Sequence, residues 1–358
     1  MQTEVYDFIA NENDFSKITV DLFTFCAGFE NNVTFYKQEV LEVDFKNKKV
    51  ITGVQRYSYD YLIIAVGAQT RFFDDIIGLK EYAYGIKALH RALYFKQKFE
   101  KSLLSKIEEE GSYCKPINII ITGGGLSGVE IAAQMASFSK EFYKQNHFLC
   151  RKLNIIIIEA FSQILSGVDI TLVKQSVQRL KSLDVEIRYN SKVTEVTKES
   201  VHLITGEVLP MDFMINTAGI TANALVATLN LQRDERGYIK VNDYLQTSSH
   251  KDVFAIGDCT NILYQNIPVP QTADVAEQMA EHCAKNISAL IDAKPLMIHH
   301  IKSRGVLIAL GRRYAVASVF GIHIKGYLAY VIKKIIEKTY AKGLVLRSKK
   351  GAQKIFDN

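Results

Sequence analysis

The chain has 358 residues, of which 48% are hydrophobic and 23% charged. This balance is typical of globular proteins and excludes a disordered or collagen-like chain, and the length favours about two domains. The formal net charge is +6, and residues 301–358 concentrate the positive charge, with 13 Lys and Arg against two acidic residues. Such a basic tail favours an anionic partner, either nucleic acid or a membrane surface.

The cysteine positions exclude a paired metal or redox motif. The five cysteines, at residues 26, 114, 150, 259 and 283, are too far apart to form C-x-x-C. We therefore predict no metal site and a reducing, cytoplasmic compartment. The N-terminus has no basic start followed by an apolar run, and no apolar stretch reaches about 18 residues. The sequence predicts neither a signal peptide nor a membrane-spanning helix.

Two stretches of the sequence, beginning at Val33 and Val185, resemble each other and indicate an internal duplication. Each has short runs of alternating β-branched residues, turns rich in Asn, Lys and Gly, and then an apolar strand, predicted over 61–66 and 213–217. A strand, a glycine loop and a helix precede the second copy from Ile117 onward, whereas only 32 residues precede the first copy. We expect a chain that is truncated at its N-terminus or has a late start codon. The alternative is that the first unit never contained this element.

The segment from Asn118 to Glu130 predicts a dinucleotide-binding turn between a strand and a helix. Its G-x-G-x-x-G comprises Gly123, Gly125 and Gly128. The first glycine would allow the tight turn, the second would let backbone N–H groups approach a pyrophosphate, and the third would let helix and strand pack closely.

Two acidic residues accompany this turn. A second apolar strand, 153–158, ends in Glu159, whose carboxylate could accept both hydroxyls of an adenosine ribose and would repel a 2′-phosphate, which favours NADH over NADPH. The alternative is a solvated glutamate at a strand end. Glu130 is predicted in the first helical turn, where the helix dipole stabilises its charge, and it is also a candidate for proton delivery.

A third signal is the apolar strand that ends in Gly257 and Asp258, followed by VPQTA and a helix predicted from about Asp274 to Leu290. The order GGGLSGVE, NTAGI, FAIGDC and VPQTADVAEQMAEHCAKNI, preceded by AVGAQTRFF, closely resembles type II NADH:quinone oxidoreductases. These are single-chain flavoproteins with two dinucleotide-binding domains. The resemblance covers essentially the whole chain.

The resemblance implies an α/β fold with two Rossmann-like domains and a C-terminal amphipathic helical region that anchors the protein to a membrane. The FAD domain would be discontinuous and N-terminally incomplete, comprising residues 1–85 and 236–300. Residues 86–235 would form the NADH domain, and residues 301–358 the membrane region. The implied reaction is ping-pong: NADH passes a hydride to the flavin, and two electrons then go to a membrane quinone, without proton pumping.

The same resemblance assigns cofactor contacts. Asp258 would hydrogen-bond the ribitol of FAD, while Gly125 and Gly219 would line the nicotinamide nucleotide. Gly257 precedes Asp258 and is a further cofactor-binding candidate. Gly67 and Ala68, at the end of the first apolar strand, are two more. The backbone of Gln271, Thr272 and Ala273 would face the pyrimidine end of the flavin.

Two helical positions are implied for the quinone. Relatives carry Ala-Gln and a further Gln in the helix near the quinone, and here the second matches Gln278 whereas the first is Asp274. The substitution places a negative charge near a hydrophobic substrate. The alternative is that Asp274 is simply an N-terminal helix residue.

The basic tail predicts an amphipathic helix from about Ile324. Its apolar residues recur at helical spacing, and its charged residues cluster on the other side: Tyr327, Leu328, Val331, Ile335 and Ile336 against Lys333, Lys334, Glu337, Lys338 and Lys342. Such a helix lies in a membrane interface with tyrosines at the headgroups, which favours peripheral attachment to anionic lipid on the cytoplasmic face of the cell membrane. The alternative is a core-packed helix with solvated lysines. Nucleic acid is disfavoured because no binding fold precedes the tail.

The sequence is also compatible with other functions. A sulfide:quinone oxidoreductase shares the resemblance but needs a cysteine pair beside the flavin, and a disulfide reductase would carry its C-x-x-x-x-C before the present N-terminus. A truncated, non-catalytic NADH-binding remnant is a further alternative. The oligomeric state has no signature, which leaves a homodimer open.

Overall fold

The structure is a computed structural model and describes residues 5–10, 18–29, 33–109, 116–145, 153–264, 267–302 and 304–357. The chain divides into two compact units. The first comprises residues 1–35, 70–219 and 305–358, and the second comprises 36–69 and 220–304. These boundaries differ from the predicted ones, because the C-terminal region and the N-terminal helix belong to the unit that carries G-x-G-x-x-G. The assignment of cofactors to domains stays a prediction.

The first unit is built on a five-stranded parallel sheet in the order β6-β13-β7-β8-β9. Its strands are β6 (Ala83–Tyr84), β7 (Ile117–Thr122), β8 (Leu153–Ile158), β9 (Glu186–Arg188) and β13 (Phe213–Asn216). The isoleucine-rich runs of β7 and β8 pair in register, with Ile120 opposite Ile156. Helices cover parallel sheets on both faces, so these strands are apolar almost throughout and buried. Both strands were predicted from the sequence and are confirmed.

The helices of this unit within the described residues follow the order of the chain. They are α1 (Val5–Ile9), α2 (Leu22–Ala27), α3 (Leu79–Tyr82), α4 (Leu89–Glu109), α5 (Leu126–Gln145), α6 (Ile170–Ser182) and the C-terminal α9 (Tyr327–Phe356). The main core joins α1, α4, α5 and α6 to the sheet, with Phe95, Ile119 and Ile131 fully buried.

The second unit contains a smaller parallel pair and a long helix. Strand β4 (Leu62–Ile64) runs parallel to β16 (His250–Ala255), and β16 is antiparallel to β15 (Gln246–Thr247). A 3₁₀ turn, Gly257–Cys259, follows β16, and helix α8 spans Ala273–Ile291. The other elements are β5 (Ala68–Thr70), whose last residue is assigned to the first unit, β14 (Ile220–Ala222), α7 (Ala224–Thr228), β17 (Leu263–Tyr264) and β18 (Ile267–Pro268).

The predicted duplication is visible in the topology. Strands β1 (Val40–Asp44), β2 (Lys49–Thr52) and β3 (Arg56–Ser58) form an antiparallel sheet that leads to β4. Strands β10 (Val193–Val196), β11 (Ser200–Leu203) and β12 (Val208–Pro210) form the same arrangement before β13. The alternating β-branched runs therefore correctly predicted two equivalent meanders, each in its own unit.

The C-terminal region differs from the prediction of a helical segment alone. Strands β19 (Val306–Ala309), β20 (Ala315–Val319) and β21 (Ile322–Gly326) form an antiparallel sheet, and α9 begins at Tyr327 rather than Ile324. Ala329 packs on Ala315 and Ala317, which fixes the start of the helix against this sheet. Among the described helices, we find none with the length and apolar character that a membrane crossing requires.

Candidate functional site

The glycine turn of the first unit has the geometry that a dinucleotide requires. Gly123 has φ +97°, and a Cβ there would lie 2.7 Å from the Ala218 backbone. A Cβ on Gly128 would lie 2.0 Å from the Gly123 carbonyl oxygen. At Gly125, by contrast, no described atom outside its neighbours lies within 4 Å of the Cβ position. The first and third glycines thus permit close packing, and the second keeps open the approach to the N-terminus of α5.

The middle glycine, Gly124, was not singled out from the sequence. Its N–H donates to Glu159 Oε2 at 2.7 Å, and its carbonyl accepts from Leu165 N–H at 2.7 Å. A Cβ on Gly124 would lie 2.5 Å from Ile164 Cγ2. The segment after β8 therefore wraps against the glycine turn. The triple glycine was the available signal, since G-x-G-x-x-G itself leaves this position free.

Glu159 is buried at the carboxyl end of β8, beside the glycine turn. Its Oε2 accepts from Gly124, and its Oε1 accepts from the Phe161 N–H at 3.0 Å. Each carboxylate oxygen can accept a second hydrogen bond, so the group can still bind ribose hydroxyls. The alternative of a solvated strand-end glutamate is wrong, because Glu159 is only 8% exposed.

Residues after β13 lie against the same turn. Thr217 Oγ1 donates to the carbonyls of Thr122 and Gly123, at 2.8 and 3.0 Å. The Gly219 carbonyl accepts from Arg71 N–H at 3.0 Å. The structure therefore brings Gly219 to the turn that contains Gly123, at the carboxyl ends of adjacent parallel strands. Ligands of open α/β sheets bind at this edge.

In the second unit, several of the predicted FAD residues surround an open cleft. Gly257, Asp258, Gln271 and Thr272 line it, together with apolar side chains that include Met279. Gln271 Nε2 donates to the carbonyls of Asp258 and Thr260, at 3.0 and 3.2 Å. These bonds hold the segment before α8 against the Gly-Asp turn. The cleft combines a carboxylate, a helix N-terminus and apolar walls, which fits a flavin.

Gly67 and Ala68 belong to the second unit, just after β4. Gly67 has φ +67°, a conformation that favours glycine, and its carbonyl accepts from Asn223 N–H at 3.2 Å. The Asn223 side chain also donates to the Val66 carbonyl. The predicted segment is thus a rigid turn, whose cofactor contact stays a prediction. At the start of α8, Thr272 Oγ1 caps the helix by accepting from Val275 N–H, and Ala273 is the first helical residue.

The two quinone candidates form a single hydrogen-bonded group on α8. Gln278 Nε2 donates to Asp274 Oδ2 at 2.9 Å and to the Lys302 carbonyl at 3.1 Å. Gln278 Oε1 accepts from Lys302 N–H at 2.9 Å. Asp274 Oδ1 lies 3.1 Å from Arg304. Arg304 was not predicted from the sequence, and it balances the charge that Asp274 introduces.

Glu130 is buried, and its environment differs from the prediction. It is the fifth residue of α5 and so lies beyond the first turn. Its Oε1 accepts from Ala309 N–H at 2.7 Å and from Lys333 Nζ at 3.0 Å. Burial lowers the pKa of Lys333, but the charges of Glu130 and Glu337 outweigh this effect and leave the pKa raised. The carboxylate is therefore held by a permanent cation.

Lys333 and Lys334 correct the prediction for the C-terminal helix. Both side chains point into the first unit rather than into solvent, where Lys334 Nζ lies 2.6 Å from Asp7 Oδ2 and 2.8 Å from Glu337 Oε2. Several apolar residues of α9 are exposed instead: Tyr327, Leu328, Ile335, Ile336, Tyr340 and Leu346. The alternative of a core-packed helix with solvated lysines is wrong for these two residues.

The described cysteines offer no reactive pair. Cys26, Cys259 and Cys283 are free thiols, and Cys259 and Cys283 are fully buried. Burial raises the pKa of Cys259 and raises that of Cys283 to about 11, which disfavours the thiolate. Cys114 and Cys150 lie outside the described residues. Within the described ranges, no His, Cys, Asp and Glu residues group as metal ligands.

Comparison with known proteins identifies relatives of this arrangement. Residues 4–280 match the family model described as pyridine nucleotide-disulphide oxidoreductase. The chain is 31% identical to demethylphylloquinone reductase NdbB of Synechocystis, over 86% of this chain and 74% of that protein. It is 26% identical to a type II NADH:quinone oxidoreductase of Staphylococcus saprophyticus, over 86% of this chain and 77% of that one. The chain spans 66 to 77% of the first curated relatives it matches.

A solved structure has the same fold. NDH2 from Plasmodium falciparum in complex with NADH superposes with a TM-score of 0.83, at 20% identity, over 98% of this chain and 89% of that chain. The family match covers the glycine turn, Glu159 and the Gly257-Asp258 turn. The chain belongs to the pyridine nucleotide-disulphide oxidoreductase family, and within that family to the type II NADH:quinone oxidoreductases.

Proposed function

We propose that this chain transfers a hydride from NADH to bound FAD and passes two electrons on to a quinone, without proton pumping. The observation that carries the proposal is the built glycine turn, in which Glu159 accepts the Gly124 N–H beside an open position at Gly125. Membership of the family indicates the two cofactors, FAD and NADH. When bound, FAD would supply the chemistry of hydride acceptance and electron donation, and the residues of the chain would hold and orient it.

The first unit is the proposed NADH-binding part. Backbone N–H groups at the N-terminus of α5 would bind the pyrophosphate, with Gly123 and Gly128 maintaining the turn. Glu159 would accept the adenosine ribose hydroxyls through its remaining lone pairs and would repel a 2′-phosphate. Gly219 would border the nicotinamide end. The protein's contribution is to position the dinucleotide.

The second unit is the proposed site for the flavin end of FAD. Asp258 would accept a hydrogen bond from the ribitol, and the segment Gln271–Ala273 would face the pyrimidine edge. The α8 N-terminus, with its positive dipole end, suits a ring edge that gains negative charge on reduction. Gly67 and Ala68 are proposed as further contacts from the turn after β4.

Quinone reduction also requires protons, for which Glu130 is the proposed donor. Its carboxylate is buried and lies 3.0 Å from Lys333 Nζ. The proposed quinone residues are Asp274 and Gln278. Arg304 neutralises Asp274 and so lowers the cost of placing an apolar ring nearby.

The protein is proposed to attach peripherally to the cytoplasmic face of the cell membrane. Exposed apolar residues along α9 would enter the interface, and lysines such as Lys338 and Lys342 would face anionic headgroups. The spacing of the cysteines favours a reducing compartment. Sedimentation velocity decides between a monomer and a homodimer.

The test is anaerobic titration of the FAD-loaded chain with NADH, followed by a soluble quinone. NADH should bleach the flavin absorbance, and the quinone should restore it. Sulfide is the parallel substrate, because one structural relative is the sulfide:quinone oxidoreductase of Aquifex aeolicus. Flavin reduction by sulfide but not by NADH would contradict the proposal, and NADH binding without flavin reduction would favour a non-catalytic NADH-binding remnant.

A further inference from the structure

The hairpin between β20 and β21 has an unusual residue at its tip. The strands pair up to Val319 and Ile322, which leaves Phe320 and Gly321 as the two turn residues. Their φ angles are +50° and +80°, so both have the left-handed conformation of a tight type I′ hairpin. Asn or Asp usually occupies the first of these positions, and a bulky residue there is strained.

Packing within the chain does not offset this strain. Phe320 is 87% exposed, and the adjacent Ile322 is 65% exposed. Two large apolar side chains therefore project from a strained turn into solvent. Backbone strain at an exposed position is a reason to look for a functional contact there.

Ile322, the first strand residue after the tip, lies on the side of the sheet that α9 covers. Successive residues of a strand point to opposite faces, so Ile322 shares a face with Ile324. Ile324 packs against the cluster that contains Ala315, Ala317 and Ala329, and Ala329 is on α9. The apolar end of the hairpin and the C-terminal helix thus belong to one surface of the first unit.

The charge around this surface matches an anionic bilayer. Lys338 and Lys342 are exposed on α9. Tyr327 and Leu328, at the start of α9, are more than 60% exposed. Aromatic and aliphatic side chains flanked by lysines are typical of interfacial membrane contacts.

We propose that the hairpin tip, Phe320 to Ile322, is a second membrane-inserting element that acts beside α9. The inference rests on the proposed membrane attachment and adds a contact of its own. If α9 were the only membrane contact, the first unit could rotate about the axis of that helix. Two contacts, α9 and the hairpin tip, define one orientation of the first unit on the membrane. The occupant of this surface is anionic phospholipid, whose acyl region receives the Phe320 ring.

The test uses the absence of Trp from the chain. Phe320→Trp introduces the only indole, whose fluorescence is followed with equimolar phosphatidylcholine and phosphatidylglycerol vesicles that contain brominated acyl chains. Phe161→Trp is the matched control. Phe161 is also an exposed phenylalanine of the first unit, but it lies beside the glycine turn. We expect strong quenching of F320W and none of F161W.

A second variant separates insertion from folding. Phe320→Asn places a residue that tolerates positive φ at the turn, so the folded state should be retained or stabilised. Partition of the FAD-loaded protein into the same vesicles should weaken about tenfold, because the apolar ring no longer inserts. Thermal unfolding of F320N verifies that the fold is intact.

The outcomes distinguish the two proposals. Vesicle binding with equal quenching of F320W and F161W, or with unchanged partition of F320N, overturns the hairpin inference and leaves the helical attachment in place. Failure of the wild-type protein to bind vesicles overturns the membrane attachment and the hairpin inference with it. NADH-dependent quinone reduction is measured separately and is independent of both outcomes.

Discussion

Lys333 Nζ, on the C-terminal helix, lies 3.0 Å from Glu130 Oε1, on the helix that follows the glycine turn. The pair continues through Glu337 and Lys334 to Asp7 on α1. Gln134 Nε2 donates to the second oxygen of Asp7 at 2.6 Å. The beginning of the chain, its nucleotide-binding helix and its C-terminal helix are thus joined by one buried network of charges.

We predict that Glu130→Gln destabilises the folded protein by about 2 kcal/mol, because Lys333 loses a buried charged partner. Chemical denaturation measures this change. Glu141→Gln on the same helix is the control, since the pair of Glu141 with Arg312 is exposed and should contribute less than about 1 kcal/mol. Equal effects of the two substitutions would contradict a structural role for the buried pair.

The network also predicts a dependence on alkaline pH. The pKa of Lys333 is raised above its ordinary value of 10.5 in the folded state, since its carboxylate partners outweigh burial. Its contribution to stability is therefore complete below the unfolded pKa and is lost as pH rises toward the folded pKa. The stability difference between wild type and Lys333→Met should be constant from about pH 7 to about pH 10 and should then decrease. Lys338→Met, at an exposed position, should show no such decrease.

Alanine substitutions at the adjacent residues Gly124 and Gly125 should have different effects, the first on stability and the second on NADH binding. Gly124→Ala places a Cβ 2.5 Å from Ile164, so we expect a loss of roughly 1–3 kcal/mol in the free energy of unfolding. Gly125→Ala meets no described atom within 4 Å, so its stability should be unchanged while NADH binds roughly tenfold more weakly. Thermal unfolding and NADH titration measure the two effects. Normal NADH affinity in Gly125→Ala would argue against a pyrophosphate at this turn.

Glu159 should determine the preference for NADH over NADPH. Replacement by Gln removes the negative charge that repels a 2′-phosphate. The repulsion between two like charges about 4 Å apart is at least about 1 kcal/mol. We expect the ratio of kcat/KM for NADPH to that for NADH to rise about tenfold in Glu159→Gln. Glu199→Gln, an exposed glutamate of the same unit, should leave the ratio unchanged. An unaltered ratio in both variants would exclude Glu159 from the ribose site.

Asp274 gives a prediction for the quinone. Asp274→Gln removes the carboxylate that binds Arg304 and Gln278 and puts a neutral amide in its place. We expect the KM for quinone to change and the KM for NADH to stay the same. Asp274 is on α8, whereas the proposed NADH-binding residues belong to the first unit. Asp292→Asn, at the exposed end of the same helix, is the control. A shift in the KM for NADH alone would place the quinone elsewhere.

The nucleotide-binding elements could be predicted from the sequence because their signals are local. The β7 strand and the three glycines follow one another directly in the sequence, and Glu159 ends the next apolar strand, 35 positions after Gly124. The duplicated meanders follow from the two-residue period of β-branched positions. The helix predicted from about Asp274 to Leu290 agrees with α8 to within a residue at each end.

The orientation of Lys333 and Lys334 could not be predicted in this way. Helical spacing places them on one side of α9, but it does not say whether that side faces solvent or carboxylates. Their partners Glu130 and Asp7 are 203 and 327 positions away. Likewise, nothing in the sequence around Asp274 indicates that Arg304 would neutralise it, or that Gln278 would be held by the Lys302 backbone.

The sequence by itself determined the family, the two dinucleotide-type units and the glycine turn, because periodicity and turn chemistry act between near neighbours. Only the tertiary structure decided which charges are paired, which apolar side chains of the C-terminal region face outward, and that a strained turn presents Phe320 to solvent. The physical reason is that desolvation and Coulomb energies depend on the surroundings a residue acquires from distant parts of the chain.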